Sequence, residues 1–399
     1  MFKTNELKFL WKFYLVSFLQ HLFGLAAIIW IVYFAQKGFS FTEISISLAI
    51  FSAGIFLFEV PTGVIADIFG RKKSVFLSFI LLALLSLLAP FIASFWQLCI
   101  LYLFWAFSLT LSSGADEAWV IDHLHKNKRK DLVDQYYSKS IAISQLGLFL
   151  AGLFLTTLLF FFKDSTNFLA YDKLWFVQAV GMFIVSLVVL SIPEHFKKQK
   201  TKISLLNTLH FSKSGFSYIK NHKTLSKIFI TILIFSFASS IWFFAYQPFL
   251  LDSGFQIKDF GWARSVVSVG GILTALFAGY LVSKFKNKHI LLGAAFLFRF
   301  LLATSILFIF GKVAGFIFYF LLWNHSLLIF PILNPLVQSY IPSKQRATIG
   351  SIKSMFVSVG DISALIIAGL LVDSLGTTLT IFISGLFIIP IIWIYFKLK

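Results

Sequence analysis

The chain has 399 residues, of which 59% are hydrophobic and only 13% charged, against about 25% charged in a soluble domain. Its 52 Phe, with abundant Leu and Ile, exceed what one water-facing core could bury, and the remainder would form exposed patches incompatible with solubility. The net charge of +18 would suit a polyanion partner in a soluble protein; here its placement along the chain reports membrane topology and argues against nucleic acid.

A bilayer-crossing helix needs about 20 mostly apolar residues. Twelve such stretches occur, roughly 11–35, 41–68, 73–94, 97–121, 135–162, 172–193, 224–250, 257–283, 288–310, 313–340, 345–372 and 376–396. The first is too long for the apolar core of a cleaved signal, and no small-residue cleavage site follows it. Backbone in lipid must satisfy its own hydrogen bonds, so each span is read as helix. The alternating ten-residue segments of an outer-membrane barrel are absent. Span 3 leads into span 4, which holds the one Cys, Cys99, so neither an internal disulfide nor a Cys metal cluster is available.

Between spans 6 and 7 lies the one long connection, 194–223, rich in lysine at Lys197, Lys198, Lys200 and Lys202. It divides the chain into a six-helix bundle at 1–193, a linker at 194–223 and a second bundle at 224–399. Of the 34 Lys and Arg, five (Lys37, Lys163, Lys173, Lys258 and Lys312) fall on one side of this arrangement. Four more, Lys139, Arg264, Arg299 and Lys353, lie within spans, and the remaining 25 gather on the other side. The positive-inside rule makes that side the cytoplasm, with both termini on it, in a multi-pass protein of the cell (inner) membrane.

The two bundles look duplicated. A shift of 216 lays span 2 on span 8, matching Ser52 with Ser268, Gly54 with Gly270, Gly63 with Gly279, Phe69 with Phe285 and Lys72 with Lys288. A shift of 214 lays Lys139-Ser140 on Lys353-Ser354 and Ser144 on Ser358. The fold expected is therefore all-α, with twelve transmembrane helices in two pseudo-symmetric bundles. Repeats of this kind place a solute site near the midplane.

Gly63-Val-Ile-Ala-Asp67-Ile-Phe-Gly70-Arg71-Lys72-Lys73 joins spans 2 and 3. Glu59, Gly63 and Asp67 recur every four residues and share a helix face. Gly63 invites close approach of another helix. Asp67 can meet a facing helix N-terminus, Gly70 permits a tight turn, and Arg71 can grip a carboxylate with two hydrogen bonds. The segment resembles motif A of the major facilitator superfamily in spacing, residue type and loop. The resemblance implies a secondary transporter with alternating access between two six-helix halves. It also implies that Asp67 docks on the start of helix 11 and that Arg71 pairs with an acid at the end of helix 4, a place Asp122 occupies. An Asp67–Arg71–Asp122 cluster latching the halves is expected, with Lys72 beside it. Only one latch is expected, since Ser283 stands where Asp67 would recur. No Arg occurs between Gln97 and Val120 and no Pro within span 5, so the family's motifs B and C are not matched, which leaves direction and coupling open.

Charges inside a bilayer cost about 2.5–3.5 kcal/mol each by insertion scales and so call for partners or roles. Asp116 and Glu117 in span 4 and Lys139 in span 5 stand at comparable distances from the 123–134 loop. A carboxylate alternating between Lys139 and a proton is one reading, with Asp116 or Glu117 as proton carrier; a static ion pair is the other. Glu59 is assigned to supporting motif A, with cavity lining as the alternative, and Asp361 is a second proton candidate. Arg299 is expected to pair with an acid or a lipid headgroup.

In family members helices 1, 4, 7 and 10 line the solute path. Here those positions offer Gln20 and His21, then Trp242, Tyr246 and Gln247, then Trp323, Asn324, His325, Asn334 and Gln338. They suit an aromatic pocket with hydrogen-bonding groups. No Gly-x-x-x-x-Gly-Lys loop is present, so no ATP site is expected. The expected partners are a small-molecule solute, protons and the bilayer, with the protein a monomer, no cofactor, no metal and no enzymatic activity. The segment Glu59-Val-Pro-Thr-Gly63 resembles bacterial multidrug exporters, which favours export of amphipathic or drug-like compounds over nutrient uptake. A membrane sensor or lipid-handling enzyme is the competing class; the sequence shows neither a sizeable soluble domain nor a cluster of nucleophile and base.

Overall fold

The computed structural model describes residues 4–161, 169–194, 216–342 and 345–398. Lys163 and the four lysines at 197–202 on which the linker reading rests lie outside the described residues. Among the described residues every regular element is helical, as a chain with no water along its spans requires.

The first span is divided into α1 (Glu6–Leu22) and α2 (Trp30–Gln36). Next come α3 (Phe41–Phe69) and α4 (Arg71–Leu88). The fourth span is divided into α5 (Phe95–Ser112) and α6 (Ala115–Lys126). Then follow α7 (Val133–Phe161), α8 (Leu169–Leu190), α9 (Lys223–Asp252), α10 (Asp259–Lys284), α11 (Lys288–Thr304) and α12 (Gly311–Ser339). The last two are α13 (Arg346–Leu386) and α14 (Ile389–Lys397). Among the described residues ten helical stretches are long and apolar enough to cross a bilayer. One of them, Ile349–Lys397, breaks at Gly376, whose φ of 77° and ψ of 172° leave the helical region. With the divided first span, this is consistent with twelve crossings.

Local chemistry sets several helix starts. Ser94 and Gln97 form a reciprocal capping box on α5. Asn287 accepts from the amides of His289 and Ile290 at the head of α11. Leu57, Phe104, Leu276 and Trp393 stay exposed, which is unremarkable when the surrounding solvent is acyl chain.

Packing gathers the chain into two compact units. Unit one comprises Met1–Lys37, Ala53–Thr201 and Gln256–Val269; unit two comprises Gly38–Ser52, Lys202–Phe255 and Gly270–Lys399. These are not the sequence halves. The start of α3 joins unit two because Gly369 of α13 lies against the Phe41 carbonyl and Ser45. The start of α10 joins unit one because Gly152 of α7 and Gly261 of α10 approach backbone to backbone. In unit one, Leu10, Phe79, Trp119 and Val185 are part of a core between α1, α4, α6 and α8. In unit two, Phe229, Phe296, Ile332 and Tyr395 are part of a second core between α9, α11, α12 and α14.

The duplication is visible at residue level. A Cβ on Gly54 would collide with Ala106 of the fourth span, and one on Gly270 with Phe320 and Asn324 of the tenth. Matched glycines thus press against matched spans. The matched pair Gly63 and Gly279 behaves alike in the opposite sense. Nothing lies within 4 Å of where either Cβ would sit, so the close helix approach expected at Gly63 is not found.

Candidate functional site

In unit one, two spans lose their helical ladder facing the same space. α1 ends at Leu22, and a short turn over Ala26–Ile28 leads into α2. α5 ends at Ser112, Ser113 is non-helical with ψ 127°, and Gly114 takes φ 68° before α6 begins. That left-handed conformation is one glycine adopts without strain. Backbone groups freed by a break inside a membrane must find partners. The Ala26 amide donates to Gln178 Oε1 at 3.0 Å, and Gln178 Nε2 donates to Ser86 Oγ at 3.0 Å. Gln178 is buried, so α8 repairs the break in span 1 with a fixed amide.

Two cavities adjoin these breaks. One, of about 350 Å³, is lined by Gln20, His21, Gly24, Trp105, Ser113 and Asp116, among others. The other, of about 360 Å³, is lined by Gln20, Asp116, Glu117, Trp119, Tyr136 and Tyr137, among others. Gln20 and Asp116 border both. His21 is fixed by a 2.7 Å hydrogen bond between Nδ1 and the Ser17 carbonyl, and the Ser17 and Ser144 hydroxyls are 2.8 Å apart.

Asp116 stands in the first turn of α6, where the helix dipole favours a carboxylate. The Glu117 amide donates to its Oδ1 at 2.7 Å, and the Tyr137 hydroxyl donates to Glu117 at 3.2 Å. The Lys139 pairing expected for these acids is not the one formed. Lys139 Nζ lies 2.5 Å from Glu6 Oε2, whose other oxygen accepts from Tyr14 at 2.9 Å. Lys139 sits only six residues into α7, close to the end of the bundle where α1 begins. Asp116 lies two residues past the break at Gly114, farther from that end of the bundle. Among the described residues neither Asp116 nor Glu117 has a basic partner.

At the basic end of unit one the motif A residues come together. Arg71 Nη1 lies 2.5 Å from Asp122 Oδ2 and donates to the Ala118 carbonyl at 2.8 Å, and its Nη2 is 3.9 Å from Asp67. Gly70 turns the chain at φ 104°. Sequence reasoning missed Glu194, whose Oε1 accepts from the Lys72 amide at 2.9 Å and so caps α4, while Lys72 Nζ donates to the Leu190 carbonyl at 2.6 Å. Nothing in local spacing marks a cap supplied from 122 residues away. Glu59 is exposed, and among the described residues it forms no ion pair with this cluster.

In unit two, Trp242, Tyr246 and Trp323 form a packed aromatic group with Tyr319. Tyr246 stacks on Tyr319 at 5.4 Å, and Trp323 stands edge-on to Tyr246 at 5.3 Å. Gln247 donates to the Tyr246 hydroxyl at 3.0 Å. Asn324 and His325 do not join that group. His325 Nε2 lies 2.8 Å from the Ala295 carbonyl on α11, and Asn324 Nδ2 donates back to the Phe320 carbonyl. Asn334 is exposed and accepts from Lys353 at 2.6 Å, and Gln338 is exposed near the end of α12. Asp361 accepts from Ser240 at 2.7 Å. Arg299, expected opposite an acid, instead donates to Ser326 at 2.7 Å and Ser239 at 3.4 Å, with the Phe235 ring 5.3 Å away. It has no carboxylate partner among the described residues.

Many apolar spans, duplicated packing and broken helices around internal cavities define a polytopic secondary-transporter fold. The comparisons agree. The Major Facilitator Superfamily profile matches residues 13–360 and 228–399, and the chain belongs to that family. It is a multi-pass membrane transport protein of the secondary type, not an enzyme, and its substrate is a small molecule. It is 27% identical over 406 residues to an uncharacterized MFS-type transporter, YxaM, of Bacillus subtilis (strain 168), covering 95% of this chain and 94% of that one. Its fold superposes on the nucleoside transporter NupG with a TM-score of 0.79 at 16% identity, covering 98% of this chain and 99% of NupG. It also superposes on a bacterial homologue of the human lysosomal transporter Spinster (TM-score 0.76, 12% identity, 99% and 97% covered). A D-xylose–proton symporter gives a TM-score of 0.72 at 13% identity, with 98% of each chain covered.

Proposed function

We propose that the chain is a proton-coupled exporter of small amphipathic solutes, acting as a monomer in the cell (inner) membrane with both termini cytoplasmic. The observation that carries the coupling is Asp116. Its carboxylate borders both cavities at a helix break, with no basic partner among the described residues. A membrane-embedded acid that lacks a counter-ion gains most from taking up a proton or a cation. The Asp67–Arg71–Asp122 cluster is the proposed latch on the cytoplasmic side. What supports the cluster is the Arg71 bridge, which ties the last turn of α3 to the fourth span within unit one; its docking on the second half is part of the proposal.

The test is reconstitution in liposomes with an acidic lumen. A solute exchanged against protons accumulates inside, whereas one carried with protons leaves. A labelled panel of an organic cation, a nucleoside and a pentose covers the chemistry named for the structural neighbours as well as that favoured here. Accumulation of at least one panel member, lost in Asp116→Asn, is expected. Gradient-driven accumulation that survives in both Asp116→Asn and Glu117→Gln would remove the proton assignment.

A further inference from the structure

We infer that Asp361 of α13 is a second proton-binding residue of the transporter, reached from the solute path of unit two. The inference rests on the proton-coupled reading above and adds a residue to it. The repeat places the side chain. In unit one a Cβ on Gly147 of α7 would crowd the Phe18 carbonyl, the His21 side chain and the Leu22 amide, all on α1. In unit two a Cβ on Gly360 of α13 would crowd the Leu233 carbonyl, the Ser236 side chain and the Phe237 amide, all on α9. A carbonyl, a side chain and an amide in the same order thus cradle the glycine in both halves. A shift of 215 carries Phe18, His21 and Leu22 onto Leu233, Ser236 and Phe237, and a shift of 213 carries Gly147 onto Gly360. The crossing sets the register there, one residue from the 214 that aligns the helix starts. Leu148, which lines the cavity of about 350 Å³ in unit one, therefore has Asp361 as its counterpart.

Chemistry separates the counterparts. Unit two has Asp361 and Ser240 at the positions where unit one has Leu148 and Leu25, and the Ser240 hydroxyl donates to Asp361 Oδ1 at 2.7 Å. Gly360 already provides the close crossing, so packing does not call for an acid, and a half-buried carboxylate turned towards acyl chains is heavily disfavoured. Neutral groups suffice as glue in this unit, where the Thr231 and Tyr395 hydroxyls lie 3.2 Å apart. No base neutralises Asp361 among the described residues. The charged groups on the elements packed against it are distant or engaged. α9 bears charge only towards its ends, at Lys223, Lys227 and Asp252. Lys353, two turns nearer the start of α13, donates to Asn334 at 2.6 Å, and Asp373 caps the start of α3, whose Glu43 accepts from its own Ser40. His325 of α12 is held at the Ala295 carbonyl, and Arg299 of α11 donates to Ser326 and Ser239. Ser239 and Ser240 are consecutive and so about 100° apart around α9, which puts Arg299 and Asp361 on different faces. Asp361 Oδ2 has no protein partner among the described residues. A proton arriving from water adds there, turns the carboxylate into a neutral acid that keeps the Ser240 bond at Oδ1, and cancels one negative charge within the span.

The experiment is infrared difference spectroscopy of the purified full-length protein in lipid as the pH is lowered, reading the carbonyl stretch that only a protonated carboxyl gives. A component of that band is expected to be lost in Asp361→Asn and retained in Asp116→Asn. Ser240→Ala keeps the acid and removes the donor to it, so the same component should shift. A band that Asp361→Asn leaves unaltered overturns the inference, and so does a band position that Ser240→Ala does not move. Loss in Asp116→Asn alone would keep the proton assignment of unit one and remove that of unit two, so the two readings fail separately. Labelling tests the placement without any titration. In a Cys99→Ser background, a water-soluble methanethiosulfonate should modify Asp361→Cys severalfold faster than Ala364→Cys, which replaces a fully buried side chain on the same helix. Equal rates would overturn the position on the path.

Discussion

The residues whose roles could be read from spacing alone are those whose partners lie one helical turn away. Asp67 and Arg71 are four apart around one turn, whereas the pairing of Arg71 with Asp122, 51 residues away on the fourth span, was expected only from the resemblance to motif A. Glu6 was not, because its partner Lys139 is 133 residues away and apolar periodicity says nothing about which helices become neighbours. The pair is buried on the Glu6 side, with no exposure of its side chain. Removing one member of such a pair costs about 3–5 kcal/mol, since the other charge is left in place. Glu6→Leu should therefore lower the melting temperature sharply in tryptophan-fluorescence unfolding, and Glu6→Leu with Lys139→Met should recover much of the loss. A double variant no better than the single one would show that the pair is not the source of the stability. Arg299 presents the opposite case. It is 3% exposed and bonded only to hydroxyls among the described residues, and Ser326 still donates its own hydroxyl to the Leu322 carbonyl when the guanidinium is removed. Arg299→Met should thus raise the melting temperature, by a stabilisation on the order of 1 kcal/mol. A fall instead would mean that the guanidinium answers a charge the helices alone do not supply.

At the level of elements, hydropathy found the crossings but drew spans 1 and 4 as unbroken rods. Apolar windows average over a break of two residues, and Ser112-Ser113-Gly114 contains no Pro to announce one. The break is nonetheless what brings Asp116 to a helix N-terminus beside the cavities. Gly114 has open space where a Cβ would sit, so only its φ of 68° resists substitution. A left-handed conformation costs a non-glycine residue about 1–2 kcal/mol, and Asn less than Ala. Gly114→Ala is expected to reduce solute accumulation in liposomes severalfold with only a small drop in melting temperature, because straightening the span moves Asp116. Gly114→Asn should keep most of the activity. Equal activity in Ala and Asn variants would show that the left-handed turn is incidental to transport.

For the whole molecule, the duplicated halves were legible and the packing units were not, because a repeat records ancestry while a unit records which surfaces touch. α3 begins in unit two and continues into unit one. Its start is held by Asp373 of α13, which accepts from the Phe41 amide at 3.2 Å, the Thr42 amide at 2.8 Å and the Thr42 hydroxyl at 2.6 Å. A carboxylate on a helix N-terminus is a favourable and reversible contact. It sits at the opposite end of α3 from the Asp67–Arg71–Asp122 cluster, so one helix carries a charged clasp at each end. If the solute path opens by parting the start of α3 from α13, the Asp373 clasp releases once per cycle. With Cys99→Ser removing the native thiol, Thr42→Cys and Asp373→Cys place two thiols at positions whose present side chains already touch. Oxidation should then stop gradient-driven solute movement in liposomes, and a reductant should restore it. Undiminished movement through a demonstrated cross-link would mean that these segments stay together throughout transport, and that the opening lies elsewhere in the fold.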